Sequence, residues 1–220
     1  MSAGLTLYTY WRSSAAYRVR IGLELKGLDY ASAPVHLVQD GGQQHAAAYA
    51  TLNPQELVPV LRHGDAVLRQ SLAILEYLDE TWPQPALLPA DAAGRARVRA
   101  LAQAIACDVH PLNNLRVLQY LERGLGVAPP AREEWVRHWI RLGLDAVEKL
   151  LAGDRGTGSF CHGDVPGLAD CVLVPQLYNA RRFGLELAEW PVIARIDAAC
   201  AALPAFAAAA PEAQPDAPAP

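Results

Sequence analysis

The feature that most constrains the fold is a change in hydrophobic periodicity across a proline-rich stretch. Before it, runs such as residues 5–10 alternate between apolar and polar types, as strands do, and helical patterns separate these runs. Pro83, Pro85 and Pro89 then interrupt the chain, which is typical of a linker between domains. Beyond Asp91, apolar residues recur every three or four positions, without strand alternation. The sequence therefore predicts an α/β domain followed by an all-helical one.

The first domain is predicted to have the order β-α-β-α-β-β-α, a βαβ unit followed by a hairpin and a helix. This order is the thioredoxin-like arrangement, in which helices cover both faces of a small mixed sheet. The predicted elements are a strand at 5–10, a helix from Ser13 or Ser14 to Gly27, a strand at Ala33–Val38, a short helix at Gln44–Ala50, strands at Val58–Arg62 and Ala66–Arg69, and a helix that Ser71 caps, with Leu72, Leu75, Leu78 and Trp82 on its core face. The predicted domains are 1–84 (thioredoxin-like), 85–92 (linker), 93–210 (helical) and 211–220 (a frayed tail).

Composition and charge exclude several classes of protein. Apolar types make up 52% of the 220 residues and charged types 19%, which excludes wholesale disorder. The formal net charge of −4 offers no basic surface for nucleic acid or for an anionic membrane. The first 12 residues lack a basic segment followed by an apolar one, and no uncharged apolar stretch reaches the roughly 18 residues that span a bilayer. We therefore expect a soluble, cytoplasmic protein.

The four cysteines, Cys107, Cys161, Cys171 and Cys200, are widely and unevenly spaced. They form no Cys-x-x-Cys pair and accompany no closely spaced histidines, so we expect neither a metal site nor a disulfide framework. The interpretation that follows is free thiols in a reducing compartment.

Ser13 and Ser14 lie at the first turn from strand to helix. The free N–H groups and the positive end of the helix dipole make such a turn a suitable site for an anion. A serine hydroxyl there can also donate a hydrogen bond to a thiolate and favour its ionised form. The alternative interpretation is that either serine merely caps the helix.

Two further segments of the first domain are candidates for binding. Val58-Pro59 precedes a strand, where a cis bond would expose a neighbouring backbone N–H and C=O, although an ordinary loop proline is the alternative. Gln70 and Ser71 stand at the start of the helix after the hairpin, where a carboxylate would bind well, although capping of that helix is the alternative role of Ser71.

These segments, in this order, resemble a zeta-class glutathione transferase, and the resemblance extends over nearly the whole chain. The motifs that carry it are Tyr10-Trp11-Arg12-Ser13-Ser14, Arg18-Val19-Arg20-Ile21, Asp40-Gly41-Gly42-Gln43-Gln44, Leu52-Asn53-Pro54, Val58-Pro59, Gln70-Ser71-Leu72-Ala73-Ile74, Leu87-Leu88-Pro89, His110-Pro111-Leu112-Asn113-Asn114, Ala169-Asp170, Val174-Pro175-Gln176 and Arg182-Phe183. The chain departs from the class at two positions. Ala15 stands where many members have cysteine, so no protein thiol is expected there, and Gly167 stands where a hydroxyl residue often caps the helix that contains Asp170.

The resemblance implies a glutathione site that lacks a metal. It implies that Ser13, with Ser14 beside it, activates the thiol, that Gln44 meets the glycyl end, that Val58 before a cis-Pro59 pairs with the cysteinyl backbone, that Gln70 and Ser71 hold the γ-glutamyl end, and that His110 and Asn114 border the site. Arg12, Arg116 and Arg182 are candidates for holding an anionic diacid substrate, because arginine suits carboxylates; a surface ion pair is the alternative for each.

The activity that the resemblance implies is the isomerisation of maleylacetoacetate or maleylpyruvate from cis to trans, with glutathione as a regenerated cofactor. Two other functions fit the same sequence. One is a transferase that conjugates glutathione to small electrophilic acids or dehalogenates them, and the other is a non-catalytic binding protein with the same fold. The resemblance also implies a homodimer.

Overall fold

The computed structural model describes residues 4–218 of the chain. The chain divides into two compact units. The first contains the residues up to Leu87 together with those from Ala201 onward, and the second contains Leu88–Cys200. The boundary between Leu87 and Leu88 thus falls inside the predicted linker. The boundary between Cys200 and Ala201 groups the C-terminal segment with the α/β unit.

A four-stranded mixed sheet forms the centre of the first unit, in the order β2-β1-β3-β4. Its strands are β1 (Leu5–Thr9), β2 (Tyr30–Pro34), β3 (Val60–His63) and β4 (Ala66–Arg69). β1 runs parallel to β2 and antiparallel to β3, and β3 pairs antiparallel with β4. The predicted βαβ unit followed by a hairpin is therefore confirmed.

Helices contribute to an apolar core on each face of this sheet. On one face, Leu5 and Leu7 of β1 pack with buried residues of α1 (Ser14–Leu25) and α3 (Ser71–Thr81). On the other face, Val60 belongs to a cluster with Tyr49 of α2 (Ala47–Leu52). This is the layered arrangement that the alternating sequence pattern predicts.

Several predicted elements are shifted along the chain. β2 lies before most of the predicted strand at Ala33–Val38, since it is an edge strand whose side chains are largely exposed and lack an apolar alternation. β3 begins two residues after the predicted start at Val58. The short helix α2 begins after the predicted Gln44, because a 3₁₀ turn occupies Gln43–His45. On α3, the core face includes Ile74 in place of the half-buried Leu72.

The C-terminal segment is ordered and belongs to the first unit. α9 (Pro204–Ala209) contacts α1, and a 3₁₀ turn with a buried Pro211 follows it. Gln214 is also buried. The structure differs here from the predicted helical domain to residue 210 and from the predicted frayed tail over 211–220, because residues 201–218 belong to the first unit. The last two residues lie outside the described part. The alanine- and proline-rich composition favoured disorder, but contacts with α1 hold this segment in place.

The second unit is helical, as predicted. Its helices are α4 (Ala92–Ala106), α5 (Leu115–Arg123), α6 (Pro129–Ala152), α7 (Leu168–Arg182) and α8 (Pro191–Ala201). α7 is buried along most of its length and contacts α4. Within residues 4–218, none of the helices combines the length and the apolar character that crossing a membrane requires.

Asp170 fixes the start of α7. Its carboxylate accepts hydrogen bonds from the N–H groups of Cys161 at 2.9 Å and Gly167 at 2.8 Å. Burial raises the pKa of Asp170. Because one of these donors is the N-cap residue Gly167, the role of the carboxylate is capping, and glycine at position 167 does not prevent it.

Candidate active site

The register of the sheet brings the candidate residues of the first unit to the same end of its strands. Thr9 pairs with Pro34, Tyr8 with Val60, and Val60 with Arg69. Four segments therefore meet at this end of the sheet: those that follow β1, β2 and β4, and the one that precedes β3. Those segments contain Ser13, Ser14, Gln44, Val58, Gln70 and Ser71.

Ser13 is the N-cap residue of α1. Its backbone is extended, and its Oγ accepts a hydrogen bond from the N–H of Ala16 at 3.2 Å. A hydroxyl that accepts one hydrogen bond still has its own proton to donate. Ser13 thus places a hydroxyl donor at the positive end of a 12-residue helix. The capping and anion-binding interpretations of Ser13 are compatible, because they use different atoms of the hydroxyl.

Ser14 and Arg12 flank this cap. Ser14 is the first residue of α1, and both side chains are half-buried. The Arg12 guanidinium carbon lies 5.3 Å from the centroid of the Trp11 ring, within the range of a cation–π contact. The residue that precedes the cap therefore carries a cation that lies over Trp11.

The segment before β3 carries a cis peptide bond between Val58 and Pro59, as the resemblance implied. Side-chain hydrogen bonds fix the backbone just before it. The Leu57 carbonyl accepts from the hydroxyl of Tyr49 at 2.6 Å and from Nδ2 of Asn53 at 2.7 Å. Burial raises the pKa of the Tyr49 phenol, so the hydroxyl stays a donor. The backbone of Val58 is therefore held in place by residues of α2 and the loop after it.

Ser71 does not cap α3, contrary to the sequence prediction. Gln70 occupies the cap position with a φ of 70°, and its side chain makes no capping bond but donates from Nε2 to Oε1 of Gln55 at 2.8 Å. Ser71 is the first helical residue, and its Oγ accepts from Nη1 of the buried Arg18 at 3.1 Å. The N-terminus of α3 thus combines a serine hydroxyl, free backbone donors and a nearby cation.

The buried side chain of Gln44 has incomplete hydrogen bonding. It is 5% exposed, and its Nε2 donates to the carbonyl of Leu37 at 3.3 Å and lies 2.9 Å from Nε2 of His45. Its Oε1 is buried and accepts no hydrogen bond from any residue between 4 and 218. A buried amide oxygen without a donor favours a ligand that brings an N–H group.

The second unit holds the remaining candidates. His110 begins a 3₁₀ turn that ends at Asn113. Asn114 caps α5, because its Oδ1 accepts from the N–H of Arg116 at 3.2 Å. The side chain of Arg116 is exposed. Asn114 therefore has a structural role at this turn, whatever ligand it meets.

Arg182 lies at the C-terminal end of α7 and is linked to the same turn. Its Nη1 donates to Oδ1 of Asn179 at 3.3 Å, and Nδ2 of Asn179 donates to Oδ1 of Asn113 at 3.3 Å. The Arg182 guanidinium carbon also lies 5.7 Å from the centroid of the Phe183 ring. The hydrogen-bonded chain brings Arg182 and the turn that contains His110 into one network.

Sequence reasoning assigned no role to two residues that organise the first unit, Arg18 and Arg20. Both are buried on α1, with exposed fractions of 2% and 0%. The signal was available, since arginine is almost never fully buried unless it has partners, and these two alternate with Val19 and Ile21 in an apolar run.

Comparisons with known proteins agree with this geometry. The glutathione S-transferase N-terminal domain family matches residues 3–80, and the C-terminal domain family matches residues 129–211. A probable maleylacetoacetate isomerase from Vibrio cholerae is 54% identical over 97% of this chain and 98% of its own length. A maleylpyruvate isomerase from a Ralstonia species is 52% identical over 96% of this chain and 99% of its own.

Solved structures give the same result. The holo structure of a maleylpyruvate isomerase, described as a bacterial zeta-class glutathione S-transferase, has a TM-score of 0.93 and 51% identity, and covers 97% of this chain and 100% of that one. A maleylacetoacetate isomerase from Anaeromyxobacter dehalogenans, with glutathione bound in its active site, has a TM-score of 0.87 and 50% identity over 99% of both chains. The chain therefore belongs to the glutathione S-transferase family, and within it to the zeta class.

Proposed function

We propose that the protein is a glutathione-dependent cis–trans isomerase that converts maleylacetoacetate or maleylpyruvate to the fumaryl product in the catabolism of aromatic compounds. The observation that carries the proposal is the identity of 54% and 52%, over nearly the whole chain, to proteins named as isomerases of these substrates. A further relative, from Methylobacterium extorquens, has been solved with malonate and glutathione bound. A small dicarboxylate and glutathione thus occur together in this class.

Ser13 is proposed to stabilise the reactive thiolate. When bound, glutathione supplies a thiolate whose reversible addition to the conjugated double bond permits rotation. The Ser13 hydroxyl contributes a charge-assisted hydrogen bond of about 1.5–3 kcal/mol, and the start of α1 contributes about 0.3–1 kcal/mol. Together, at about 1.8–4 kcal/mol, they lower the pKa of the thiol from about 8.5 to roughly 5.6–7.2, so that a large share of the bound thiol is ionised near neutral pH.

The proposed contacts with glutathione are Ser13 and Ser14 at the thiol, Gln44 at the glycyl end, the Val58 backbone at the cysteinyl part, Gln70 and Ser71 at the γ-glutamyl end, and His110 and Asn114 from the second unit. The structure offers specific support for two of them. Gln44 has a buried Oε1 that fits an incoming N–H group, such as the glycyl amide. Ser71 lies at a helix N-terminus, where a carboxylate gains backbone donors and a favourable dipole.

Arg12, Arg116 and Arg182 are proposed to hold the anionic groups of the diacid. Arg12 adjoins Ser13, so a substrate held there would have its reacting carbon near the thiol. Arg182 is held by Asn179 at the end of α7 and is largely exposed, so it is accessible to a ligand. Arginine binds carboxylates through two parallel hydrogen bonds, which orients as well as neutralises them. The proposed form of the enzyme is a cytoplasmic homodimer, for which family membership is the support.

The test is an absorbance assay with maleylacetoacetate and with maleylpyruvate, each with and without glutathione in catalytic amount. The expected result is isomerisation that requires glutathione and does not consume it. Stoichiometric consumption of glutathione on an α-haloacid, without isomerisation of either substrate, would instead identify a conjugating or dehalogenating transferase. Failure to bind immobilised glutathione would identify a non-catalytic protein.

A further inference from the structure

The backbone turn that leads into Ser13 is held by an arginine on the next helix. The turn runs from Tyr10 to Ser13, closed by a hydrogen bond from the N–H of Ser13 to the Tyr10 carbonyl at 3.0 Å. Arg20 donates to two carbonyls of this turn, from Nη2 to that of Trp11 at 2.9 Å and from Nη1 to that of Tyr10 at 3.4 Å. It also donates from Nη1 to Oγ1 of Thr9 at 3.2 Å. A fully buried guanidinium therefore fixes the end of β1 and the start of the turn.

A carboxylate of the C-terminal segment also bonds to this turn. Oδ2 of Asp216 accepts a hydrogen bond from the N–H of Trp11 at 2.8 Å. Trp11 thus has its carbonyl held by a cation, Arg20, and its N–H held by an anion.

The segment that carries Asp216 is itself anchored to α1. Arg20 donates from Nε to the carbonyl of Ala209 at 2.9 Å, and the hydroxyl of Tyr17 donates to the carbonyl of Phe206 at 3.4 Å. Gln214 continues the connection, because its Nε2 donates to the carbonyl of Ala210 at 2.9 Å. Asp216 is thereby held in place at the turn, 205 positions away from Trp11 in the sequence.

We propose that Asp216 is a positioning residue for the thiol-activating turn, held there by the anchored segment that carries it. The inference rests on the proposed function of Ser13. It requires no contact between Asp216 and any ligand, because the carboxylate acts through the backbone of Trp11. A displacement of the turn moves the Ser13 hydroxyl relative to the sulfur, and a misplacement of about 1 Å at a reacting centre costs up to about a hundredfold in rate.

The experiment compares Asp216→Ala, which removes the hydrogen bond, with Asp216→Asn, which removes the charge but keeps an acceptor. The readouts are the pKa of the bound glutathione thiol, from the ultraviolet absorbance of its thiolate, the Kd for glutathione by calorimetry, and kcat. Glu212→Ala, an exposed carboxylate of the same segment, is the matched control. The expected result is a raised thiol pKa and a kcat lowered about tenfold in Asp216→Ala, with Kd changed less than about threefold, and near-complete rescue in Asp216→Asn.

Two outcomes would overturn the inference. If both variants lower the thiol pKa, Asp216 acts through its charge alone. If Asp216→Ala melts at a lower temperature while the thiol pKa and kcat are unchanged, its role is only structural. Failure of the proposed isomerase function is recognised separately, because the thiol pKa and the reaction of the bound thiol with a neutral chloro-aromatic compound are measurable whether or not a maleyl substrate reacts.

Discussion

Arg18 of α1 donates a hydrogen bond to Ser71, the first residue of α3, across 3.1 Å. The contact joins the helices whose N-termini contribute to the proposed glutathione site. Because the Ser71 hydroxyl oxygen accepts this bond, its O–H group remains free to donate a hydrogen bond of its own. A γ-glutamyl carboxylate at the start of α3 would accept that hydrogen bond. The guanidinium adds positive charge at the same place, which further favours an anion.

Replacing either partner should weaken the binding of glutathione more than it slows the chemistry. We expect Ser71→Ala and Arg18→Met to raise the KM for glutathione about tenfold, because each variant loses one hydrogen bond that involves a charged group. The kcat at saturating glutathione should stay within about twofold of wild type. Arg62→Met on β3 is the control, because Arg62 is exposed and donates to the nearby carbonyl of Gly64. Initial rates over a glutathione series check this, and a loss confined to kcat would contradict it.

Ser13→Ala should lower kcat about a hundredfold, because one hydrogen bond to the reacting sulfur is lost. The variant also loses the cap on Ala16, so its unfolding free energy should fall by about 0.5–2 kcal/mol. Ser13→Thr keeps the hydroxyl and should retain most of both properties, which separates the chemical effect from the structural one. Ser14→Ala is the matched control. If it is inactive while Ser13→Ala keeps full activity, the activating hydroxyl is Ser14.

The sequence predicted the architecture where local pattern decides it and failed where distant contacts decide it. The order of strands and helices follows from periodicity, which each segment carries by itself. The position of β2 follows from pairing with β1, and its Ala-Ser-Ala stretch has no alternation to indicate it. The C-terminal segment is ordered through Arg20 and Asp216, whose partners lie 189 and 205 positions away along the chain. Composition alone therefore predicted fraying there.

The candidate site shows the same division. Ser13 was identified because a serine before a helical run is a local signal, and its capping geometry agrees. Ser71 offers an equally good local signal, yet it lies one position inside the helix and accepts from a buried arginine. Which residue takes the cap position depends on the φ of 70° at Gln70, a conformation that the sequence does not predict for a residue other than glycine.

Gln44→Leu should weaken the binding of glutathione about three- to tenfold, because a buried acceptor for the ligand is lost. Calorimetry measures this, with Gln39→Leu as an exposed control in the same loop. Binding of γ-glutamylcysteine, which lacks the glycyl residue, should be the same in Gln44→Leu and wild type. If the variant loses affinity equally for both ligands, Gln44 does not contact the glycyl end.

Light scattering at low micromolar concentration should give a particle of twice the chain mass of 23.7 kDa. The expectation rests on the resemblance of this chain to the zeta class, which implies a homodimer. Sedimentation at several dilutions is the second measurement, since a dimer with a small interface would dissociate across the series. A particle of one chain mass at all concentrations would contradict it.

Arg182→Met should slow reaction with diacid substrates and spare reaction with neutral ones. Arg182 lies at the exposed end of α7, so the ion pair that it forms with a substrate carboxylate is partly screened by solvent, and we expect kcat/KM to fall about ten- to a hundredfold. In the proposed mechanism Ser13 and the start of α1 stabilise the thiolate, so a neutral chloro-aromatic acceptor should react at nearly the wild-type rate.

The neighbouring Arg181 provides the matched control for this test. Arg181 is also exposed, and its guanidinium pairs with Asp197 of α8. Arg181→Met should therefore leave all substrates nearly unaffected while lowering stability slightly, because a surface ion pair contributes little. Both variants are to be compared with wild type on maleylpyruvate, maleylacetoacetate and the neutral acceptor, all at saturating glutathione. A uniform loss across the three in Arg182→Met would mean that Arg182 supports the fold or glutathione, because only a contact with the substrate's charge discriminates between diacid and neutral acceptor.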